Sequence, residues 1–274
     1  MKISVIISTY NNPQALRKTL WGYYDQSYAN YEILIADDGS GDETGEVIDA
    51  ARSQLSVPLR HIWHEDVGFR KSRILNQAIT QSRGEYVIFT DGDCIPRRDF
   101  VASHARKARP NWFISGGSHI DVPASIHQNL VVDDVHSQRV FNARWLQERG
   151  MNLRRYRRRL CLSRHMASVM DFLMPRAGVF LGANASAWIR DLVAVNGFES
   201  SSSYGSDDKE LGVRLGNNGI RSKRLKYSLI CVHQSHVRPY STEQIKRNKE
   251  NLKTLKANRT TWIEDGIHTE RPAA

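Results

Sequence analysis

Glu85-Tyr86-Val87-Ile88-Phe89-Thr90-Asp91-Gly92-Asp93 is the stretch on which the fold turns. Residues 86–90 form a short apolar run, the pattern of a buried strand. Asp91 and Asp93 then stand where a parallel strand delivers its C-terminal end, the edge at which open α/β sheets bind ligands. Carboxylate oxygens suit a hard divalent cation, and such a cation can hold the phosphates of a nucleotide. Gly92 lets the backbone turn between the two acids without a Cβ clash. Alone, D-x-D reads more readily as an acidic turn closing a strand, so the surrounding chain has to decide.

Working outward, strand and helix signals alternate through residues 1–100. Lys2–Ser8 is a β-branched run, and Asn11-Asn12-Pro13 offers an N-cap and a first-turn proline for a helix over 14–24. Tyr31–Ala36 reads as a second strand ending in Asp37-Asp38-Gly39-Ser40. A helix over 44–54, a strand over 59–63 and a helix over 68–81 follow. Such alternation predicts βαβ units, a parallel sheet and a doubly wound arrangement. After Asp93 the pattern changes. Strand signals fall at 113–117, 179–184 and 228–232, the last ending at His233. Residues 124–172 read as helical and basic, a helix follows Asp207-Asp208, and 242–259 reads as a charged helix. No repeat or low-complexity linker marks a sharp boundary.

The chain has 274 residues, 40% of them hydrophobic, enough for a sizeable core in one large domain or two small ones. No apolar run reaches transmembrane length. The first apolar stretch is too short for a signal-peptide core, so it reads as the first strand of a cytosolic protein. Cys94, Cys161 and Cys231 are odd in number and far apart, which predicts reduced thiols rather than a disulfide framework or zinc cluster. The net charge is +10, and Arg139–Arg164 holds nine Arg against one Glu, a local +8 that leaves the remainder near neutral. Such a block can meet nucleic acid, anionic lipid or a charged glycan, or can be a solvated face.

Three polar clusters close predicted strands: Ser8-Thr9-Tyr10, Asp37-Asp38-Gly39-Ser40 and Asp91-Gly92-Asp93. In a parallel sheet they share one edge, as a nucleotide site requires. Neither G-x-G-x-x-G after the first strand nor G-x-x-x-x-G-K-[ST] is present, which disfavours dinucleotide dehydrogenases and P-loop enzymes.

The order of motifs resembles glycosyltransferase family 2. The stretches are V-I-I-S-T-Y-N-N (5–12), I-L-I-A-D-D-G-S-G-D (33–42), G-F-R-K-S-R-I-L-N-Q-A-I (68–79), Y-V-I-F-T-D-G-D (86–93), F-L-G-A-N-A-S-A (180–187), N-G-F-E (196–199) and G-S-D-D-K-E-L-G-V-R-L (205–215). The resemblance implies a GT-A fold: a Rossmann-like, doubly wound, mainly parallel α/β sheet with a helical acceptor-side C-terminal half. It divides the chain into a GT-A domain over 1–241, with a nucleotide-binding half (1–100), an acceptor-side half (101–241) and a basic helical insertion (124–172), and a helical tail over 242–274.

The resemblance also implies an inverting, metal-dependent transfer from a nucleotide sugar. A UDP-sugar is preferred, with GDP and dTDP as alternatives, and the cofactor is Mn²⁺ or Mg²⁺. Thr9, Tyr10, Asn12, Asp37 and Asp38 match positions around the nucleoside, and Phe69, Arg70, Arg73 and Asn76 match a stretch over base and phosphates. Asp91 and Gly92 would touch ribose or metal, Asp93 would be a direct metal ligand, and Gly182 and Asn184 would line the sugar or acceptor side. His233 resembles a late histidine that serves as a further metal ligand, with His236 a second candidate. Asp207-Asp208 matches an E-D pair whose second acid, here Asp208, is favoured as the base. The acceptor implied is a glycan or lipid-linked hydroxyl, in bacterial surface polysaccharide or lipopolysaccharide synthesis. Apart from the resemblance, the concentration of charge over Arg139–Arg164 predicts contact with an anionic inner membrane face or a phosphorylated lipid-linked acceptor.

Elementary chemistry agrees with this set. An attacking hydroxyl must lose its proton to a base, and a leaving diphosphate gains charge that a divalent ion or arginine stabilises. Two other readings compete. A nucleotidyltransferase would need a basic, Gly-rich loop after the first strand, where Ser8–Asn12 stands instead. A nucleic-acid-binding protein would use the Arg block, but no nucleic-acid motif accompanies it and no nucleic-acid partner is expected.

Overall fold

The computed structural model describes residues 1–117, 119–174, 177–200, 207–236 and 242–268. Its ten strands are β1 (Ile3–Thr9), β2 (Tyr31–Asp37), β3 (Leu59–Trp63), β4 (Tyr86–Asp91), β5 (Cys94–Pro96), β6 (Trp112–Ser115), β7 (Ile120–Val122), β8 (Asn184–Trp188), β9 (Arg221–Arg224) and β10 (Cys231–Gln234). Seven form one sheet in the order β3-β2-β1-β4-β8-β6-β9, and three form a small second sheet, β5-β10-β7. In the large sheet β8 alone runs against its neighbours β4 and β6; the other pairs are parallel.

Helices cover both faces. The first four are α1 (Pro13–Trp21), α2 (Asp42–Arg52), α3 (Lys71–Gln81) and α4 (Phe100–Lys107). Four short ones follow, α5 (Ala124–His127), α6 (Val132–His136), α7 (Ala143–Glu148) and α8 (Arg157–Cys161), and then α9 (Arg164–Leu173). The last three are α10 (Ile189–Ala194), α11 (Asp207–Asn217) and α12 (Thr242–Ala257). Side chains alternate across the strands, so Ile3, Val5 and Ile7 pack against α1, α2 and α4 while Ile6 packs against α3, α10 and α11. This two-sided burial is why β1 and β2 read as continuous apolar runs. Asn12 caps α1 by accepting from the Ala15 N–H at 3.2 Å, with Pro13 at the first helical position.

Some boundaries depart from the sequence reading. The helix predicted from Gly68 begins at Lys71, because Gly68 takes φ +81°, a left-handed conformation outside the helix. The strand predicted over 179–184 begins only at Asn184, which pairs with Thr90 near the end of β4. Residues 180–183 therefore project past the end of β4. The second sheet was not foreseen: β5 and β7 are three residues each, too short to show a period.

Glu210 and Arg214, within the 205–215 stretch, are structural. Glu210 and Arg214 on α11 are fully buried, Arg214 Nη2 donating to Glu210 Oε2 at 2.7 Å and to the Gly197 carbonyl at 2.6 Å. A second Arg214 nitrogen donates to the Val195 carbonyl. The pair thus pins the end of α10 onto α11.

Candidate active site

The C-terminal ends of β1, β2 and β4 open onto two connected cavities. The first, about 400 Å³, is lined by Thr9, Tyr10, Asn12, Asp38, Gly68 and Gly92 among others. The second, about 200 Å³, is lined by Leu75, His119, Gly182, Asp207, Asp208 and His233 among others. Ser8, Phe69, Lys71, Asp91, Asp93 and His236 border both.

In the first cavity, Asp38 takes its place at the end of β2 through the Asp38 N–H, which donates to the Thr9 carbonyl at 3.0 Å. The Asp38 carboxylate meets His64 Nε2 at 2.8 Å and accepts from the Arg70 N–H at 3.0 Å. Tyr10 is half exposed and its hydroxyl donates to Asp66 Oδ2 at 2.9 Å. Phe69 stands exposed across the opening. A Cβ on Gly92 would meet the Ser8 carbonyl and Thr9 Oγ1, each at 3.1 Å, so the turn between the two acids packs directly on β1.

Asp91 ends β4 and accepts from Ser8 Oγ at 2.7 Å and Lys71 Nζ at 2.8 Å. Burial works against the Lys71 ammonium, but Asp91, Asp207 and Asp208 outweigh it and hold its pKa above the ordinary lysine value. Lys71 was not singled out in the sequence, although its helical spacing from Leu75 marks it. Residues 71 and 75 both border the second cavity, one turn apart on α3.

The small sheet builds the next cluster. β10 sets His233 opposite Cys94 on β5 and opposite Asp121 on β7. His233 Nε2 lies 3.3 Å from Asp93 Oδ2, and His236 Nε2 lies 3.1 Å from the same oxygen. Burial of Asp93 favours its neutral form, yet the two imidazoles outweigh burial and hold its pKa well below the carboxylate range. One carboxylate oxygen and two imidazole nitrogens lie within 4.8 Å of one another, a mixed O/N donor set that fits Mn²⁺ and is less suited to the harder Mg²⁺. Both candidate histidines from the sequence thus converge on Asp93.

Across the cavity, Asp207 and Asp208 open α11. Asp208 accepts from the Gly182 N–H at 3.1 Å and from the Lys209 N–H at 2.7 Å. Burial first, then the neighbouring Asp207, raises the Asp208 pKa to about 6. The Gly182 contact exists because residues 180–183 run past the end of β4. Gly205 and Ser206, which precede the pair in the motif, lie outside the described residues.

Five residues expected at the ligand line neither cavity. Asp37 is fully buried, its oxygens engaged by the Ser40 N–H and His61 Nε2, so it closes the β2 turn from behind. Asn76 spends its amide on the Phe198 backbone, donating at 2.7 Å and accepting at 2.8 Å. Asn184 is fully buried, donating to the Leu229 carbonyl and accepting from or facing His104 Nε2 at 3.2 Å. Burial lowers the pKa of that histidine to about 3, so it is neutral. Arg73 lies on the solvent face of α3 with Gln77 and Thr80, while Arg70 contributes its backbone and turns its guanidinium to the Glu65 carbonyl. A matching motif locates a residue in the chain but does not say which way its side chain faces.

With this geometry in place, comparison with known proteins is direct. The sequence profile "Glycosyl transferase family 2" matches residues 4–169, more than half of the chain. The chain belongs to that family. This family 2 member is 28% identical over 235 residues to validoxylamine A glucosyltransferase of Streptomyces hygroscopicus subsp. jinggangensis (strain 5008), covering 80% of this chain and 52% of that protein. It is 25% identical over 276 residues to the glycosyltransferase YfnE of Bacillus subtilis (strain 168), covering 86% and 65% respectively. The family 2 chain therefore spans about half to two-thirds of the length of these relatives. Among solved structures it superposes on Staphylococcus aureus TarS 1–349 in complex with UDP-GlcNAc, with a TM-score of 0.59, 16% identity and coverage of 94% and 69%. It also superposes on the mannosyltransferase PcManGT of Pyrobaculum calidifontis in complex with GDP-Man and Mn²⁺, with a TM-score of 0.58, 21% identity and coverage of 90% and 60%. These likenesses identify the GT-A fold.

Proposed function

We propose that the protein transfers a glycosyl group from a nucleoside diphosphate sugar, with uridine the favoured base, to a hydroxyl of a glycan or lipid-linked acceptor. The observation that carries this reading is the join between the two cavities. A nucleoside-sized slot lined by Tyr10, Phe69 and Asp38 leads past Asp93 and the two histidines to Asp208. The nucleoside occupies the slot, the diphosphate crosses Asp91–Asp93, and the sugar lies towards Gly182.

Asp93, His233 and His236 are the residues that would hold Mn²⁺ or Mg²⁺. When bound, the ion offsets negative charge on the diphosphate. The chain's own groups then account for the displacement. The acceptor oxygen bonds to the anomeric carbon, the carbon–oxygen bond to the diphosphate breaks with its electron pair, and the hydroxyl proton passes to Asp208. One displacement gives inversion. A carboxylate whose pKa is near 6 is better matched to that proton than an ordinary aspartate. Asp207 keeps that pKa raised, and Lys71 places a fixed cation beside both acids.

Residues 1–100 form the nucleotide half and 101–241 the acceptor half in this reading, followed by a tail from residue 242 whose helix, expected over 242–274, is described only over Thr242–Ala257 and does not continue through 258–268. Arg154, Arg155, Arg157 and Arg158 are exposed and would meet an anionic membrane face or a phosphorylated acceptor during surface polysaccharide or lipopolysaccharide synthesis. Arg159 does not join them: it is buried, donating to the carbonyls of Lys226 and His119 at 3.1 Å each. No helix of the described residues is long and apolar enough to cross a membrane.

The test is a panel of nucleotide sugars scored by thermal shift and donor hydrolysis, with calorimetric titration of UDP in Mn²⁺ and in chelator. A UDP-sugar should stabilise the protein most, and Asp93→Ala should remove the Mn²⁺-dependent part of UDP binding. Equal wild-type UDP affinity in Mn²⁺ and chelator would refute the metal assignment. No response to any nucleotide sugar would refute the activity.

A further inference from the structure

His233 has a second carboxylate that the proposed chemistry does not use. Its Nε2 faces Asp93, while its Nδ1 lies 3.0 Å from Asp121 Oδ1 on the neighbouring strand β7. Asp121 is itself held in place. His119 Nε2 is 3.2 Å from Asp121 Oδ1, and the Tyr156 hydroxyl donates to Asp121 Oδ2 at 3.0 Å. The His119 ring lies beside the His233 ring, with centroids 4.3 Å apart. Tyr156 comes from the basic segment, where it precedes α8 and shares a hydrophobic core with Val122, Ile126 and Leu153. Arg159, one turn on, donates to the His119 carbonyl and so ties the same segment to the approach to β7.

A neutral imidazole carries one N–H, and the nitrogen that keeps it cannot ligate. A carboxylate accepting from Nδ1–H leaves the Nε2 lone pair for a metal, fixes the plane of the ring and makes the nitrogen a stronger donor. Asp121 satisfies each requirement. It faces the nitrogen remote from Asp93, it accepts in the strand register, and hydrogen bonds from three side chains fix its own position.

We infer that Asp121 is the positioning residue of the metal-binding histidine: by accepting from His233 Nδ1 it presents Nε2 to the ion held with Asp93, and Tyr156 braces it from the basic segment. The inference rests on the metal reading of Asp93, His233 and His236. It gives the basic segment a task inside the protein as well as at its surface.

The test uses the full chain and Mn²⁺, titrated with and without saturating UDP and followed by loss of the free-ion paramagnetic resonance signal. Asp121→Ala should weaken Mn²⁺ binding roughly 10–100-fold, the usual scale for a lost partner of a metal-bound histidine. Asp121→Asn should lose less, since its amide oxygen still accepts from Nδ1–H, and Tyr156→Phe less again. UDP affinity in chelator should stay at the wild-type value in all three, which separates positioning from damage to the fold. Pulsed spectra should show ¹⁴N coupling from His233 in the wild type, absent in His233→Ala and diminished in Asp121→Ala. Wild-type Mn²⁺ affinity in Asp121→Ala alongside lost affinity in Asp93→Ala would overturn the inference and spare the metal reading. Unchanged affinity in Asp93→Ala and His233→Ala would sink both. Two ions bound per wild-type chain with only one bound in Asp121→Ala would make Asp121 a direct ligand of a second ion and also overturn it.

Discussion

Lys71 Nζ lies 2.8 Å from Asp91 Oδ1, joining the first turn of α3 to the last residue of β4. The same ammonium acts electrostatically on Asp207 and Asp208 across the cavity. One cation therefore links the donor side of the cleft to the proposed base.

Its removal has a directional consequence. Lys71 lowers the Asp208 pKa, which already stands near 6, so Lys71→Met should raise it further. The base must be ionised to accept a proton, so activity rises with pH through that pKa. The acidic limb of the pH–rate profile should move to higher pH in Lys71→Met. A limb that stays in place would mean that Lys71 and Asp208 do not communicate.

Asp208→Asn should leave UDP binding nearly intact and lower turnover by about 10²–10⁴-fold, the range for a lost general base. Asp207→Asn is the informative partner. It removes the charge that helps raise the Asp208 pKa, so its acidic limb should shift to lower pH with smaller loss at the optimum. Full activity in Asp208→Asn with loss in Asp207→Asn would reverse the assignment.

The buried Glu210–Arg214 pair predicts a stability change rather than a catalytic one. Arg214→Met should cost about 3–5 kcal/mol, as expected when one partner of a buried ion pair is removed. Burial already raises the Glu210 pKa despite the adjacent guanidinium. Without Arg214 it rises further, and a raised folded-state pKa favours the fold at low pH and is lost as pH climbs through it. The destabilisation measured by denaturant titration should therefore be larger at pH 8 than at pH 5. A second change, Glu210→Met, should recover part of the loss and flatten the pH dependence.

The exposed arginines can be tested apart from the chemistry. Replacing Arg154, Arg155, Arg157 and Arg158 with Gln should reduce co-sedimentation with anionic vesicles, and the wild-type association should weaken as salt rises. Donor hydrolysis should be unaffected. Equal sedimentation of the two proteins would leave this surface without a membrane role.

Much of the fold was legible because the nucleotide half obeys local rules. The runs of β1, β2 and β4 are buried on both faces, and the Asn12–Pro13 cap announces α1. The acidic steps at 37–38 and 91–93 located the edge of the sheet. Orientation was harder to read. Asp37 and Asp38 are adjacent, yet alternation along the strand turns one into the fold and leaves the other at the cavity. Asn76 and Asn184 sit in matching motifs but satisfy buried backbone, a demand that only tertiary packing creates. Asp121 was missed because Ile120–Val122 is too short to show a pattern, and its partner His233 is 112 residues away.

That separation also orders events in time. The groups gathered at His233 come from positions 93, 121 and 236, and β10 is the last strand among the described residues. Long-range pairings of this kind close large loops and form slowly. A chain cut before residue 231 would keep Asp93 and Asp121 but lack both histidines of the cluster. On the metal reading proposed above, the donor set would then come together only when β10 pairs with its two neighbours.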